Sequence, residues 1–322
     1  MKRRFGGLAA CAVIGALANA ACLSNLNDQD GTDDGDKQAW DGTIVDIIPR
    51  SPYYYLQQHG WPAMHFQWHG ARQWYVIHDD EYLRTLAAQG VTPAALQEGD
   101  PGSAIESAAM HRAMIEHLRD KFGDVEVDYL NRTTFRQVLN GWNDFSAPLF
   151  EANNAAGETA VRALWADLLP AAEFASLDAY THYILTRLRR RPDLLNAFRF
   201  RLDDTPGVGF HNAVHAALAD KTSRINMGRP YTNLFNMAFW GLHGYFDRLV
   251  GEYLDERATP EERARFEIYR AEAAAHLIDM EASHQHGGSD DKAYPTDPPN
   301  GFFPTWNDCA TLPENVESAA CP

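Results

Sequence analysis

Apolar positions recur at helical spacing along most of the chain between about residue 90 and residue 280. Ile105, Ala108, Ile115, Leu118 and Phe122 fall on one face of a helix, and Ser103 with Glu106 offers a capping box at its start. Further helices are predicted over about 158 to 169, 176 to 191 and 193 to 202, stopped or separated by Pro170 and Pro192. Thr259, Pro260 and Glu262 combine a cap, a first-turn proline and a second box, and the helix they open should run to about Met280. Asn236 can cap another, on which Phe239, Leu242, Phe246 and Leu249 or Val250 form the buried stripe. Gly241 and Gly244 lie inside that stripe's helix and cost about 1 kcal/mol each against Ala, so the helix needs space there for another helix or a ligand. The pattern describes a mainly α protein.

The two ends read differently. From about Trp40 to Gly90 the chain is dense in aromatics, including Tyr53, Tyr54, Tyr55, Trp61, Trp68, Trp74, Tyr75 and Tyr82, and is expected to be largely irregular until a helix that continues through Tyr82, Leu83 and Leu86. Residues 283–322, rich in proline and glycine, predict an irregular tail, whose Phe302, Phe303, Pro304 and Trp306 should pack on the helical core rather than face water. Residues 1–21 have the form of a secretory signal, with Lys2, Arg3 and Arg4 ahead of an uncharged run and small residues at Ala18-Asn19-Ala20-Ala21. Arg3-Arg4 also permits a twin-arginine export signal. Residues 22–41 are an acidic tether too polar to bury a core, which leaves residues 42–282 as the helical domain.

Composition narrows the partners. In 322 residues, Lys plus Arg total 28 against 44 for Asp plus Glu, a net charge of −16 with no large basic patch, which argues against nucleic acid as a partner. Removing Cys11 with the signal leaves Cys22, Cys309 and Cys321, an odd number in an oxidising compartment. One solution pairs Cys309 with Cys321 and lipidates Cys22, the only membrane attachment expected; the other cleaves after Ala20 and leaves a spare thiol.

The chemistry is in the histidines. His211 and His215 stand four apart in Phe210-His211-Asn212-Ala213-Val214-His215, a spacing that puts two imidazoles on one helix face and can chelate a metal. Asn212 cannot serve as the proton-accepting base that a zinc protease carries at this position. His243 follows on the edge of the helix that Asn236 caps. Upstream, His65 and His69 repeat the four-residue spacing, with His59 a rival for His65. His78 lies half a turn out of phase with His69, so a break at Gly70 must turn the chain if the three are to converge. Two sets of three histidines with no cysteine nearby describe nitrogen-ligated sites that suit copper.

At these residues the chain resembles the type 3 copper family of tyrosinases, catechol oxidases, and arthropod phenoloxidases and haemocyanins. The second-copper motif is matched by His211, Asn212, His215, Phe239, His243, Asp247 and Arg248, with Asn226-Met227-Gly228 similar to a short element between the ligands. The first-copper match is mixed: His69 and His78 have the tyrosinase spacing, whereas His65, His69 and Trp74-Tyr75-Val76-Ile77-His78 are similar to the arthropod pattern. The resemblance implies a four-helix-bundle core holding two copper ions, one on His65, His69 and His78 and one on His211, His215 and His243. It further implies dioxygen as a partner, and a small phenol or catechol oxidised to an o-quinone, with a non-catalytic dioxygen carrier or a zinc or iron enzyme as the alternatives. Asn212 would orient a water for phenol deprotonation, with Asp203 and Asp204 the nearest upstream acids. The family's thioether cysteine is absent, and Asn236-Met237 replaces its Asp-Pro. His111 and His117 are expected in core or supporting roles, and His182 and His276 on helix surfaces.

Overall fold

Tyr53, Tyr54, Tyr55, Leu56, Trp61 and Met64 all turn inward, and that burial organises the aromatic-rich segment into helices instead of the irregular chain expected there. The computed structural model describes residues 47–75, 77, 80–127, 133–142, 155–166, 168–185, 210–219 and 225–285. These form ten α-helices and two short 3₁₀ turns, with no strand among the described residues beyond two isolated bridges. The irregular tail expected from residue 283 starts later, because the last helix runs past Met280 to Gln285; the rest of the tail, the signal and tether expectations, the 193–202 helix, His78, Asp203, Asp204, Cys22, Cys309 and Cys321 lie outside the described residues.

The helices are α1 (Arg50–Gln58), α2 (Trp61–Gln73), α3 (Asp80–Ala88), α4 (Ser103–Phe122), α5 (Phe135–Leu139), α6 (Ala155–Ala166), α7 (Leu177–Leu185), α8 (Phe210–Ala217), α9 (Met237–Glu256) and α10 (Pro260–Gln285). Helix α4 is the centre of the packing and touches α1, α5, α7, α9 and α10. Its Ile105, Ala109, Met110, Met114, Ile115 and Leu118 are all buried. Helix α8 packs on α6 and α7, and α2 lies between α1 and α3. No described helix is long and apolar enough to cross a membrane.

Caps decide several boundaries. Asn236 caps α9 as its sequence suggests, its Oδ1 accepting from Ala238 N at 2.8 Å. The box at Thr259 and Glu262 forms in both directions, and Glu262 also accepts from Leu177 N at 2.7 Å, which fixes α7 to the start of α10. The box expected from Ser103 and Glu106 does not form. Gly102 occupies the N-cap at φ 89°, Ser103 Oγ accepts from Gly99 N, and Glu106 is drawn to Arg72 instead.

Nor does the chain break at Gly70. Helix α2 runs through it to Gln73, and the glycine gives room to the Leu86 side chain of α3, whose methyls would lie 2.8 Å from a Cβ there. The room anticipated around Gly241 and Gly244 is taken by the turn after α5 rather than by a ligand. A Cβ at Gly244 would sit 2.4 Å from Leu139 O and 2.5 Å from Gly141 N, and one at Gly241 would strike the Trp142 ring. Helix α9 is thereby held backbone to backbone against that turn, and its one histidine lies between the two glycines.

Candidate metal centre

Six imidazoles from four helices meet in the interior. Helix α2 presents His65 and His69 one turn apart, with Nε2 atoms 3.1 Å from each other. Helix α4 brings His111 Nε2 to 3.4 Å from His65 Nε2. On the other side α8 supplies His211 and His215, whose Nε2 atoms lie 3.2 and 3.4 Å from His243 Nε2 of α9. Each set of three offers ligand atoms within 4.8 Å of one another. The sets are contiguous, because the rings of His111 and His243 stack at 4.0 Å between centroids and 14° between planes. Phe239, fully buried one turn before His243, touches rings of both sets: His65 at 5.3 Å and His243 at 4.2 Å.

The hydrogen bonds on the far side of the rings determine what the near side offers. His65 Nδ1 lies 2.7 Å from Pro230 O, His111 Nδ1 2.8 Å from Ser107 O, and His215 Nδ1 2.7 Å from Met227 O. A carbonyl only accepts, so each Nδ1 carries the proton and each Nε2 presents a lone pair to the interior. His211 Nδ1 is held in the same sense by Asn212 Oδ1 at 2.9 Å. In the His65–His111 pair two lone pairs therefore face each other at 3.4 Å. No hydrogen bond joins such a pair, whereas a shared cation could.

Burial keeps these rings neutral. Desolvation is the largest cause throughout, and neighbouring imidazoles add to it for most of them. It pushes His65 down to about 3 and His111 and His215 down to about 4. His69, His211 and His243 are also held well below the ordinary histidine value. Neutral imidazole is the form that ligates a metal.

Two of the three carbonyl acceptors, those of Met227 and Pro230, come from one segment that the sequence hinted at. Asn226-Met227-Gly228 is folded by Asn226, whose Oδ1 accepts from Gly228 N at 2.8 Å and whose carbonyl accepts from Thr232 Oγ1 at 3.1 Å. Asn236 Nδ2 donates to Ile225 O at 3.0 Å and ties the segment to the head of α9. One turn thus orients a ligand of each set, His215 through Met227 and His65 through Pro230. The Asp247-Arg248 pair clamps the outer side: Asp247 takes Arg112, the neighbour of His111, and Arg248 Nη2 donates to Trp142 O at 3.0 Å.

Five of the six histidines expected as ligands, His65, His69, His211, His215 and His243, are thus brought together, while His78 lies outside the described residues. The first set is completed by His111, for which the sequence suggested a core or supporting role. Its place on the apolar stripe of α4 showed that it would be buried, and the structure adds that its inner nitrogen faces His65 Nε2. His59 belongs to neither set; its ring packs on Tyr55 at 4.4 Å. His182 is not a surface residue but fully buried, 3.1 Å from Asp100 O. His276 is exposed, as expected.

A cavity of about 30 Å³ touches both sets, lined by His69 and His211 with Trp68, Glu98, Ser107 and Asn212. Glu98 is mostly buried there; it is the acid that sequence reading did not pick out. The volume accommodates one or two water-sized molecules. No family model, curated protein or solved structure matches the chain.

Proposed function

We propose that this chain is an exported dicopper protein of the type 3 kind that uses dioxygen to oxidise phenols and o-diphenols to o-quinones, with His65, His69 and His111 holding one ion and His211, His215 and His243 the other. The observation that carries the reading is the pair of histidine-only sets stacked through His111 and His243, their Nε2 lone pairs turned inward. All-imidazole donors suit copper, which two thiolate-free sites of this kind hold in either oxidation state. When bound, the two ions supply the two one-electron changes that a two-electron reduction of dioxygen requires.

The chain's own residues prepare the rest. Pro230, Ser107 and Met227 carbonyls fix the ring orientations, an arrangement that typically accounts for 10- to 100-fold in metal affinity. Phe239 keeps water from the floor of the site. Asn212 spends its Oδ1 on His211, leaving its Nδ2 to face a hydroxyl or a water, and Glu98 in the same cavity is the acid suited to take a proton from a phenol.

A second reading, a non-catalytic dioxygen carrier of the same fold, is favoured by the size of that cavity: about 30 Å³ admits a diatomic molecule but not a six-membered ring without movement of its walls. Metal analysis, followed by absorption on adding hydrogen peroxide and turnover of catechol, separates the readings. Two coppers, a new near-ultraviolet band and quinone formation support the oxidase. Copper and the band without quinone support the carrier, and zinc or iron in place of copper overturns both.

A further inference from the structure

A larger cavity, about 640 Å³, lies between α2, α4, α10 and the turn after α3. That is the size of a site for a small organic molecule. Its floor is apolar and soft, built from the thioethers of Met64, Met110 and Met280, all buried. Trp68 and Tyr269 form aromatic walls. At the mouth stand Glu272 and Asp279, exposed and seven residues apart on the same face of α10, neither of them in an ion pair with any described residue. Arg72, the one Arg or Lys lining the chamber, is already neutralised: Glu106 grips its guanidinium at 2.6 and 2.7 Å, and its plane rests on Trp68 at 4.0 Å.

The chamber therefore combines π faces and polarisable sulfur for a flat apolar body with two solvent-exposed carboxylates, on either side of His276, for a positive end. Trp68 and Arg72 also line the small cavity at His69, so chamber and histidine centre lie on the two sides of one wall. We propose that this chamber is a binding site for aromatic amines, with the ring against Trp68 and the methionines and the ammonium between Glu272 and Asp279. A phenolic acid would bring a third carboxylate to the two at the mouth and is rejected; a neutral phenol binds through its ring alone. The site does not depend on the metal reading. If the oxidase reading holds, it makes phenolic amines the compounds concentrated beside the centre.

The test is calorimetric titration of the full chain with tyramine, 4-ethylphenol and 4-hydroxyphenylacetate, which share a ring and differ in charge. Two partly solvated ion pairs predict tyramine binding about tenfold more tightly than 4-ethylphenol, with the acid weakest. Glu272→Gln with Asp279→Asn, both on the exposed face of α10, should bring the amine to within about twofold of the neutral phenol. Ala273→Trp, which fills the chamber from α10, should abolish binding of all three. In His243→Ala, where the metal reading predicts loss of copper, tyramine binding should persist unchanged, so failure of one idea is separable from failure of the other. Equal affinity for amine and acid, or amine binding undiminished in both chamber variants, would overturn the proposal.

Discussion

Replacing Gly244 by Ala tests how the fold holds the second set of ligands. The added methyl would lie 2.4 Å from Leu139 O, 2.5 Å from Gly141 N and 2.8 Å from Gly141 Cα, about 1 Å inside ordinary contact. All three are backbone atoms, and Gly141 at φ 86° cannot turn away without leaving its own turn. Helix propensity favours Ala by about 1 kcal/mol, but overpacking against rigid backbone costs about 3 kcal/mol, so the clash wins by about 2 kcal/mol. Relief requires α9 to move outward, carrying His243 away from His211 and His215, and a ligand displaced on that scale should weaken metal binding by about tenfold or more. Urea unfolding of the metal-free chain and competitive copper titration measure both effects. Gly251→Ala on the same helix is the control: its methyl would meet the end of the Arg112 side chain, Nη2 at 3.3 Å, which has to give by only a few tenths of an ångström, and should cost far less than Gly244→Ala. If Gly244→Ala matches wild type in stability and copper affinity, the close approach of α9 to the Leu139–Trp142 turn does not position His243.

The metal-free chain should be acid-sensitive. Folded-state values depressed to about 3 for His65 and about 4 for His111 and His215 mean that the unfolded chain takes up protons first, so their contribution is complete above about pH 6.5 and declines toward pH 4. At pH 5.5 these three alone should cost ~4 kcal/mol, and unfolding curves between pH 7 and pH 5 that do not shift would contradict the buried neutral rings. Glu281 Oε1 accepts from Tyr55 at 2.5 Å and Trp61 at 3.0 Å and also meets His117 at 3.0 Å, which knits α1, α2, α4 and α10 together. Glu281→Ala should lower unfolding stability by about 3 kcal/mol and Glu281→Gln by less, since the amide oxygen still accepts; equal losses would show that the bonds to this oxygen are not what matters.

The histidines on a single helix were legible in the sequence because the four-residue spacing is itself the geometry: His65 with His69 and His211 with His215. His243 was legible through the cap at Asn236 and the buried stripe it sets in phase. His111 was not, because nothing local distinguishes a buried histidine that fills a core from one that faces another helix; its partner His65 is 46 residues away. The aromatic segment misled for a related reason. Its tyrosines and tryptophans lack a simple one-sided stripe, since α1 and α2 are buried on several faces, against α4 and against each other. Gly70 was read as a break where it is a point of contact with Leu86, and that distinction depends on a helix elsewhere in the chain. The glycines of α9 were read as a need for space for another helix or a ligand; the space is needed, but the turn after α5, about 100 residues upstream, fills it.

Copper content of the full chain, compared among the wild type, His111→Ala and His276→Ala, tests the central claim most directly. Reconstitution with excess copper, removal of loose metal and elemental analysis should give two ions per chain in the wild type and in His276→Ala. His111→Ala should retain one. Two ions retained in His111→Ala, or none bound by the wild type, would contradict a centre built from these six imidazoles.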